Sequence, residues 1–287
     1  MTASTLTTDK ISQIQQEMNQ FRHAGHRRPT IGFTEAGDAG LDLSWHDLAL
    51  DPQNNIAGVV AITKGCYPKF QQAVLDCESR GVPITVHAGC TGWGSTPTEP
   101  NVVAPEQQIK WVSDLIDAGF PKERLVLRID PIIPTSEGLA RVAHVIELAY
   151  KADILPVCRV RFSIIDQYPH IEHRFNARGI ELPYPHGNKN PAQKDILAVA
   201  ATLAQFPLTF ESCAETRMPP RCGHATFIAR GCLSHEDFVR MGLAAVERTG
   251  SNNQHRFGCL CNSAKKELLT NKKPCGHNCA YCYWRDK

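Results

Sequence analysis

The chain has 287 residues with 31 Lys+Arg against 29 Asp+Glu, a formal net charge of +2; 42% of its residues are apolar and 21% charged. This is the composition of a globular protein with material for one large core or two small ones, and it excludes disorder as the overall state. No run of ~18 apolar residues offers a membrane span, near-neutral charge argues against a protein that coats nucleic acid, and the polar start MTASTLTTDKISQIQQEMNQF has no apolar stretch of a secretory signal.

In chain order, Ile11, Ile14, Met18 and Phe21 recur at helical spacing and predict a helix over Asp9 to His23. Strands and helices then alternate. Thr30 to Phe33 is a short strand, followed by a Gly- and Asp-rich turn from Glu35 to Gly40. Ala57 to Thr63 is an apolar strand, and Pro68 to Arg80 a helix stopped by Gly81. Pro83 to Ala88 is the next strand and runs into a long loop, Gly89 to Ala104. Pro105 opens a helix to Ala118, with Gly119 just past its end. Arg124 to Ile129 is a strand ending in Asp130-Pro131, and Ser136 caps a helix reaching Ala152. Val157 to Ile164 is a strand. Residues 166–191 lack a period, hold four prolines and read as a long loop. Ala192 to Gln205 is a helix, and Leu208 to Glu211 the last clear strand.

Apolar strands alternating with amphipathic helices imply parallel pairing through right-handed crossovers. Six strands, each followed by a polar loop, favour an α/β fold built as a closed or partial (β/α) barrel over an open sheet. The expected organisation is a barrel over residues 1–212 and a Cys-rich extension, 213–287, packed on it. In such barrels the site lies at the C-terminal ends of the strands. Lys64, His87, Arg128, Asp130, Arg161, Ser163, Asp166, Glu211 and Glu215 occupy or follow strand ends. Any one of them is as readily a structural ion-pair member as a functional group; the convergence of the set favours function.

Twelve cysteines are unusual for such a chain. Without a secretory signal the expected location is the reduced cytoplasm, where thiols are buried small hydrophobes or metal ligands rather than disulfides. Cys66, Cys77, Cys90 and Cys158 are scattered, whereas eight cysteines fall between Cys213 and Cys282. Cys275, Cys279 and Cys282 form C-x3-C-x2-C with Tyr281 before the last Cys. Three thiolates at these offsets can ligate three irons of a [4Fe–4S] cluster and leave the fourth open; a zinc site ordinarily wants a fourth protein ligand, here His277 or a distant Cys. Cys213, Cys232, Cys259 and Cys261 remain for a second, fully ligated metal site holding iron–sulfur or zinc, with Cys222 and His224 as a competing pair. Residues 250–287 carry seven Lys/Arg against two Asp/Glu, which is either a solvated tail or an attraction for an anion.

The C-x3-C-x2-C run resembles the cluster motif of radical SAM enzymes. A closer resemblance, covering most of the chain, is to the DUF1848 family. Cys259-Leu-Cys261 with Cys275 to Tyr283 is similar to its C-terminal signature, and Ile62-Thr63-Lys64 to its Trp-Thr-Lys segment. Thr91-Gly-Trp-Gly94 with Glu99-Pro-Asn101, Arg128-Ile-Asp130-Pro-Ile132 and Glu211-Ser-Cys-Ala-Glu215 resemble three more of its segments.

The resemblance implies a [4Fe–4S] cluster on Cys275, Cys279 and Cys282 that binds S-adenosylmethionine and yields a 5′-deoxyadenosyl radical. It also implies a permuted arrangement, because the motif ordinarily follows the first strand. The Gly-Gly-Glu segment that usually holds the SAM amino group is missing, and Thr34-Glu35-Ala-Gly37 stands in its place. On this reading Lys64, Arg128, Asp130 and Glu215 are the expected catalytic residues, and Thr34, Glu35, Lys64, Arg128, Arg161, Ser163 and Tyr281 the expected cofactor contacts. The implied partners are an electron donor such as flavodoxin or ferredoxin and a small-molecule, nucleotide or nucleic-acid substrate. Trp93, Trp111 and Trp284 and the basic tail would suit a base or phosphate. The competing class is an iron–sulfur protein for electron transfer or structure without SAM; a zinc-dependent hydrolase fits the Cys-rich pattern poorly.

Overall fold

The computed structural model describes residues 28–248, 258–269 and 275–283. The helix expected over Asp9 to His23 and Trp284 lie outside these residues. Strands β1 (Thr30–Phe33), β2 (Ile56–Thr63), β3 (Ile84–Gly89), β4 (Leu125–Ile132), β5 (Arg159–Ile164) and β6 (Thr209–Ser212) pair in parallel in sequence order. The six expected strands are all present, with ends shifted by up to three residues.

Three further strands come from the Cys-rich part: β7 (Arg221–Cys222), β8 (Ala225–Ala229) and β9 (Lys265–Glu267). The order is β7-β8-β6-β5-β4-β3-β2-β1-β9, all parallel except the β7–β8 hairpin. Residues after 212 therefore extend the same sheet. These strands are two to five residues long: β7 and β9 carry charged residues and no apolar run, and β8, Ala-Thr-Phe-Ile-Ala, is apolar but short. The sheet is open: among the described residues β8 and β9 do not pair with each other.

Helices α1 (Ser44–Leu50), α2 (Pro68–Ser79), α3 (Pro105–Asp117), α4 (Ser136–Lys151), α5 (Pro169–Ala177), α6 (Gln193–Leu203) and α7 (His235–Arg240) complete the framework. Pro opens α2, α3 and α5, where its missing N–H costs nothing. Thr135, not Ser136, caps α4 by accepting from Gly138 N at 3.1 Å. α1 was not expected, and α5 lies in the stretch expected to be loop. Its Ile171 and Phe175, four residues apart, are both buried and supply the apolar face that the surrounding prolines obscured. None of the described helices is long and apolar enough to cross a membrane.

Alternation along the strands sorts the two faces. Val59, Ala61, Ile84, Val86, Leu125, Leu127, Val160, Phe162 and Phe210 join the main core with α1 to α4 and α6. The intervening positions, Val60, His87, Arg128, Arg161 and Glu211, face the other way. There Ile31, Phe33 and Val60 pack with Cys213, Cys232, Leu233, Phe238 and Met241, so the α7 region fills the concave side of a curled sheet. The six strand ends expected to bear polar groups thus lie along one edge, above an interior that is apolar below and charged above. Cys66, Cys77, Cys90 and Cys158 are buried in the main core, as expected of small hydrophobes.

Candidate functional site

Three groups of side chains meet along this edge. The first surrounds residues 275–283. Ala280 N donates to Thr98 O (2.8 Å), Asn101 Nδ2 to Gly276 O (2.8 Å), and Arg178 to Asn278 O and Oδ1 (both 3.0 Å), while Arg174 donates to Cys282 O. Cys279, Ala280 and Tyr281 pack into an apolar seat of Trp93, Val102, Ile171 and Phe175. The loop is therefore held by the β3–α3 loop and by α5.

Beneath it, Glu99, fully buried, accepts from Thr91 Oγ1 (2.8 Å) and from Tyr281 OH, and pairs with Lys64 Nζ at 2.8 Å. Its second oxygen, Oε2, is buried and has no hydrogen-bond partner among the described residues. Lys64 Nζ also lies 5.3 Å from the Tyr281 ring centre. Burial works to lower the Lys64 pKa, but the Glu99 carboxylate and the neighbouring thiols hold it above the ordinary lysine value. Burial lifts the Cys279 thiol to about 12 and the Cys275 thiol to about 11, with Lys64 acting in the opposite sense on both. His277 Nε2 meets Asp38 Oδ2 at 2.9 Å. Asp38 also accepts from Thr63 Oγ1 (2.7 Å), Lys64 N (2.7 Å) and Gly40 N (2.8 Å), which ties the cysteine loop to the end of β2.

The β3–α3 loop owes its course to glycine. Gly92 has φ +84°, a left-handed conformation, and its carbonyl accepts from Arg141 Nη1 at 2.8 Å. A Cβ on Gly94 would lie 1.9 Å from Val103 O.

The second group is central. Arg128 Nε donates to Asp130 Oδ2 (2.7 Å), and Ser163 Oγ donates to Asp130 Oδ1. Arg161, fully buried, donates to Glu211 Oε2 (Nε, 2.8 Å) and to Cys232 O (2.8 Å), and lies 3.5 Å from Asp237. Asp237 also pairs with Arg159 at 2.6 Å. His87 stands between the guanidinium groups, 3.4 Å from each. Burial, then Arg161 and Arg128, drive its pKa well below the ordinary value, so it is neutral. Both guanidinium groups are thus engaged by protein acceptors, Arg161 fully buried and Arg128 slightly exposed. Glu215 accepts from Ile164 N at 2.9 Å. Tyr283 brings its hydroxyl near Glu35, Asp130, Arg128 and Cys232, and burial raises its pKa.

At β1, Thr34 Oγ1 accepts from Ile62 N (2.8 Å) and Glu35 pairs with Lys265. The Glu35 and Ala36 amides both donate to Glu267 Oε2 at 3.0 and 3.1 Å. A carboxylate of the chain itself thus occupies two backbone donors of the Thr34–Gly37 segment.

The third group is thiol-rich. Cys213 follows β6, Cys232 follows β8, and Cys259 and Cys261 precede β9. Cys213 Sγ lies 3.4 Å from Cys232 Sγ, and hydrogen bonds continue from Cys232 to Cys261 and from Cys261 to Cys259. The bond received from Cys261 brings Cys259 down to about 7. Among the described residues, no three His, Cys, Asp or Glu side chains already stand in an arrangement that could hold a metal ion. Cys222 lies apart, in the β7–β8 hairpin.

Sequence reasoning named most of these residues but missed the partners Asp38, Asp237 and Glu267. Only Asp237 carried a local signal, a capping box with Ser234. Trp93 is buried with Arg141 over its ring (4.5 Å), and Trp111 packs on Tyr67 (4.8 Å).

A family model described as a domain of unknown function, DUF1848, matches residues 44–284, and the chain belongs to that family. No curated protein matches it. Similar solved structures include a class V chitininase from Pseudomonas fluorescens Pf-5 (11% identity, 68% of this chain and 56% of that one, TM-score 0.31). A xylose isomerase domain protein from Planctomyces limnophilus (14%, 64% and 72%, 0.28) and a type I 3-dehydroquinate dehydratase from Clostridium difficile (14%, 71% and 86%, 0.28) are others. At these TM-scores the likenesses carry no argument about this chain.

Proposed function

We propose that the chain is a radical SAM-type iron–sulfur enzyme with a partly closed barrel. In this reading Cys275, Cys279 and Cys282 hold a [4Fe–4S] cluster at the strand ends. The observation that carries it is the seating of residues 275–283 on the β3–α3 loop and the end of β2, next to the buried Lys64–Glu99 pair. The donor set fits such a group: three thiols on one short loop, with a buried ammonium beside them to offset thiolate charge. When bound, a cluster of this type supplies one electron for reductive cleavage of S-adenosylmethionine to methionine and a 5′-deoxyadenosyl radical.

The chain's own residues then have defined work. Lys64 or Arg128 pairs with the methionyl carboxylate, and the unpartnered Oε2 of Glu99 accepts from its ammonium. Asp130 and Ser163 orient Arg128, the neutral His87 separates the two guanidinium groups, and Tyr281 with Trp93 keeps water from the loop. Electrons come from a flavodoxin- or ferredoxin-type donor.

One observation favours the second reading, an iron–sulfur centre without SAM. Two amides of the Thr34–Gly37 segment, the stand-in for the missing Gly-Gly-Glu, those of Glu35 and Ala36, are satisfied by Glu267. Anaerobic purification followed by iron and sulfide analysis and EPR of the reduced protein separates the two. The full proposal expects the triple Cys275/Cys279/Cys282→Ala variant to lose about four irons per chain. It also expects SAM to shift the wild-type EPR signal and to yield 5′-deoxyadenosine. Unchanged iron content in the triple variant sinks both readings; an EPR signal indifferent to SAM leaves the second.

A further inference from the structure

The opening in the sheet and the thiol chain coincide. β8 ends at Ala229 and β9 begins at Lys265, and between the two strands there is no ladder. What joins them is backbone contact just beyond β8 and just before β9. Asn262 N donates to Leu233 O (3.0 Å) and Cys232 N to Cys261 Sγ (3.1 Å). The approach is so close that a Cβ on Gly231 would lie 2.5 Å from Cys261 N. Cys213 is tied in from the neighbouring strand end, its N donating to Phe162 O at 2.8 Å.

We infer that Cys213, Cys232, Cys259 and Cys261 form a mononuclear tetrahedral metal site, for zinc or iron, that staples β6 and β8 to β9 and closes the sheet. The spacing suits a single ion. Metal–sulfur bonds of about 2.3 Å at tetrahedral angles put neighbouring sulfurs about 3.8 Å apart. The Cys213–Cys232 separation of 3.4 Å is near that edge, so these two sulfurs can share one ion after small side-chain rotations. The thiols now hydrogen-bond one another in series; on loading they turn to a common ion and release their protons to solvent.

Charge agrees. Four thiolates on a divalent ion leave two negative charges, and Arg128, Arg161 and Lys265 all act electrostatically on these cysteines. Arg161 also donates to the Cys232 carbonyl at 2.8 Å, fixing the backbone that would carry one ligand. The site stands independently of the C-terminal cluster.

The test uses the full chain carrying Cys275→Ala, Cys279→Ala and Cys282→Ala, so that the proposed cluster is absent. This variant should retain about one zinc or iron per chain. After chelation it should take up one equivalent of Co2+ with the strong thiolate-to-cobalt absorption of an all-sulfur tetrahedral site. Metal analysis tells zinc from iron. Adding Cys261→Ser should weaken Co2+ binding at least tenfold, while adding Cys222→Ala should not. Hydrogen exchange at residues 230–234 and 260–267 should slow on loading. The proposal is overturned if the folded triple variant takes up no Co2+ under reducing conditions, if Cys222→Ala abolishes uptake instead, or if uptake leaves exchange at both segments unchanged. Loss of iron from the triple variant bears only on the C-terminal cluster, so the two readings fail separately.

Discussion

Replacing Lys64 by Met isolates the interaction that holds the cysteine loop to the strand ends. Methionine keeps most of the apolar stem and removes the ammonium. Glu99 has no exposed surface and would be left with only the Thr91 and Tyr281 hydroxyls, 2.8 Å away in the first case. Removing one partner of a buried ion pair costs about 3–5 kcal/mol, because the remaining carboxylate can neither be hydrated nor compensated. Lys64 retains slight exposure, so the lower end of that range is expected. At roughly 2–4 °C per kcal/mol for a chain of this order of size, the melting temperature should fall by about 6–12 °C. Adding Glu99→Gln removes the stranded charge while keeping an acceptor for Tyr281, and should restore at least half of the loss. The assay is urea denaturation of the single and double variants, with hydrogen exchange across residues 276–282 to locate the damage. A single variant that loses under about 1 kcal/mol, or a double variant no more stable than the single, would refute the reasoning.

Two further outcomes follow from the same geometry. Burial alone would raise the Asp38 pKa, but His277, the Lys64 amide and the Thr63 hydroxyl lower it below its ordinary value. A carboxyl depressed in the folded state contributes stability in full above its unfolded value of about 4 and loses it as pH falls through the folded value. The stability gap between wild type and Asp38→Asn should therefore narrow in urea titrations taken from pH 7 down to about pH 3; a gap independent of pH would contradict this. Gly94→Ala drives a methyl group into Val103 O, since a Cβ there would lie 1.9 Å from that oxygen, and should destabilise the chain by about 1–3 kcal/mol in thermal unfolding; an unchanged melting temperature would contradict this.

The alternation of apolar strands with helices was sufficient for the six parallel strands, because β2 to β4 are runs rich in β-branched and aliphatic residues and the other strands still carry buried apolar residues. It could not reveal β7 and β9, whose two or three residues carry no apolar signal and are strands only because a neighbour offers a free edge, and it passed over β8, a single apolar stretch of five residues. The same distinction holds at the candidate site. The spacing of Cys275, Cys279 and Cys282 and the polar strand ends could be read in one dimension, since thiols and charges at those offsets have few ordinary uses. The partners could not. Asp38 meets His277 across 239 positions, Lys64 meets Glu99 across a helix and a strand, and Glu267 caps amides 231 and 232 residues earlier. Such pairs leave no periodic trace in the sequence. They exist because the curled sheet brings the C-terminal ends of its parallel strands to one edge, where distant carboxylates, amides and thiols must satisfy each other out of water.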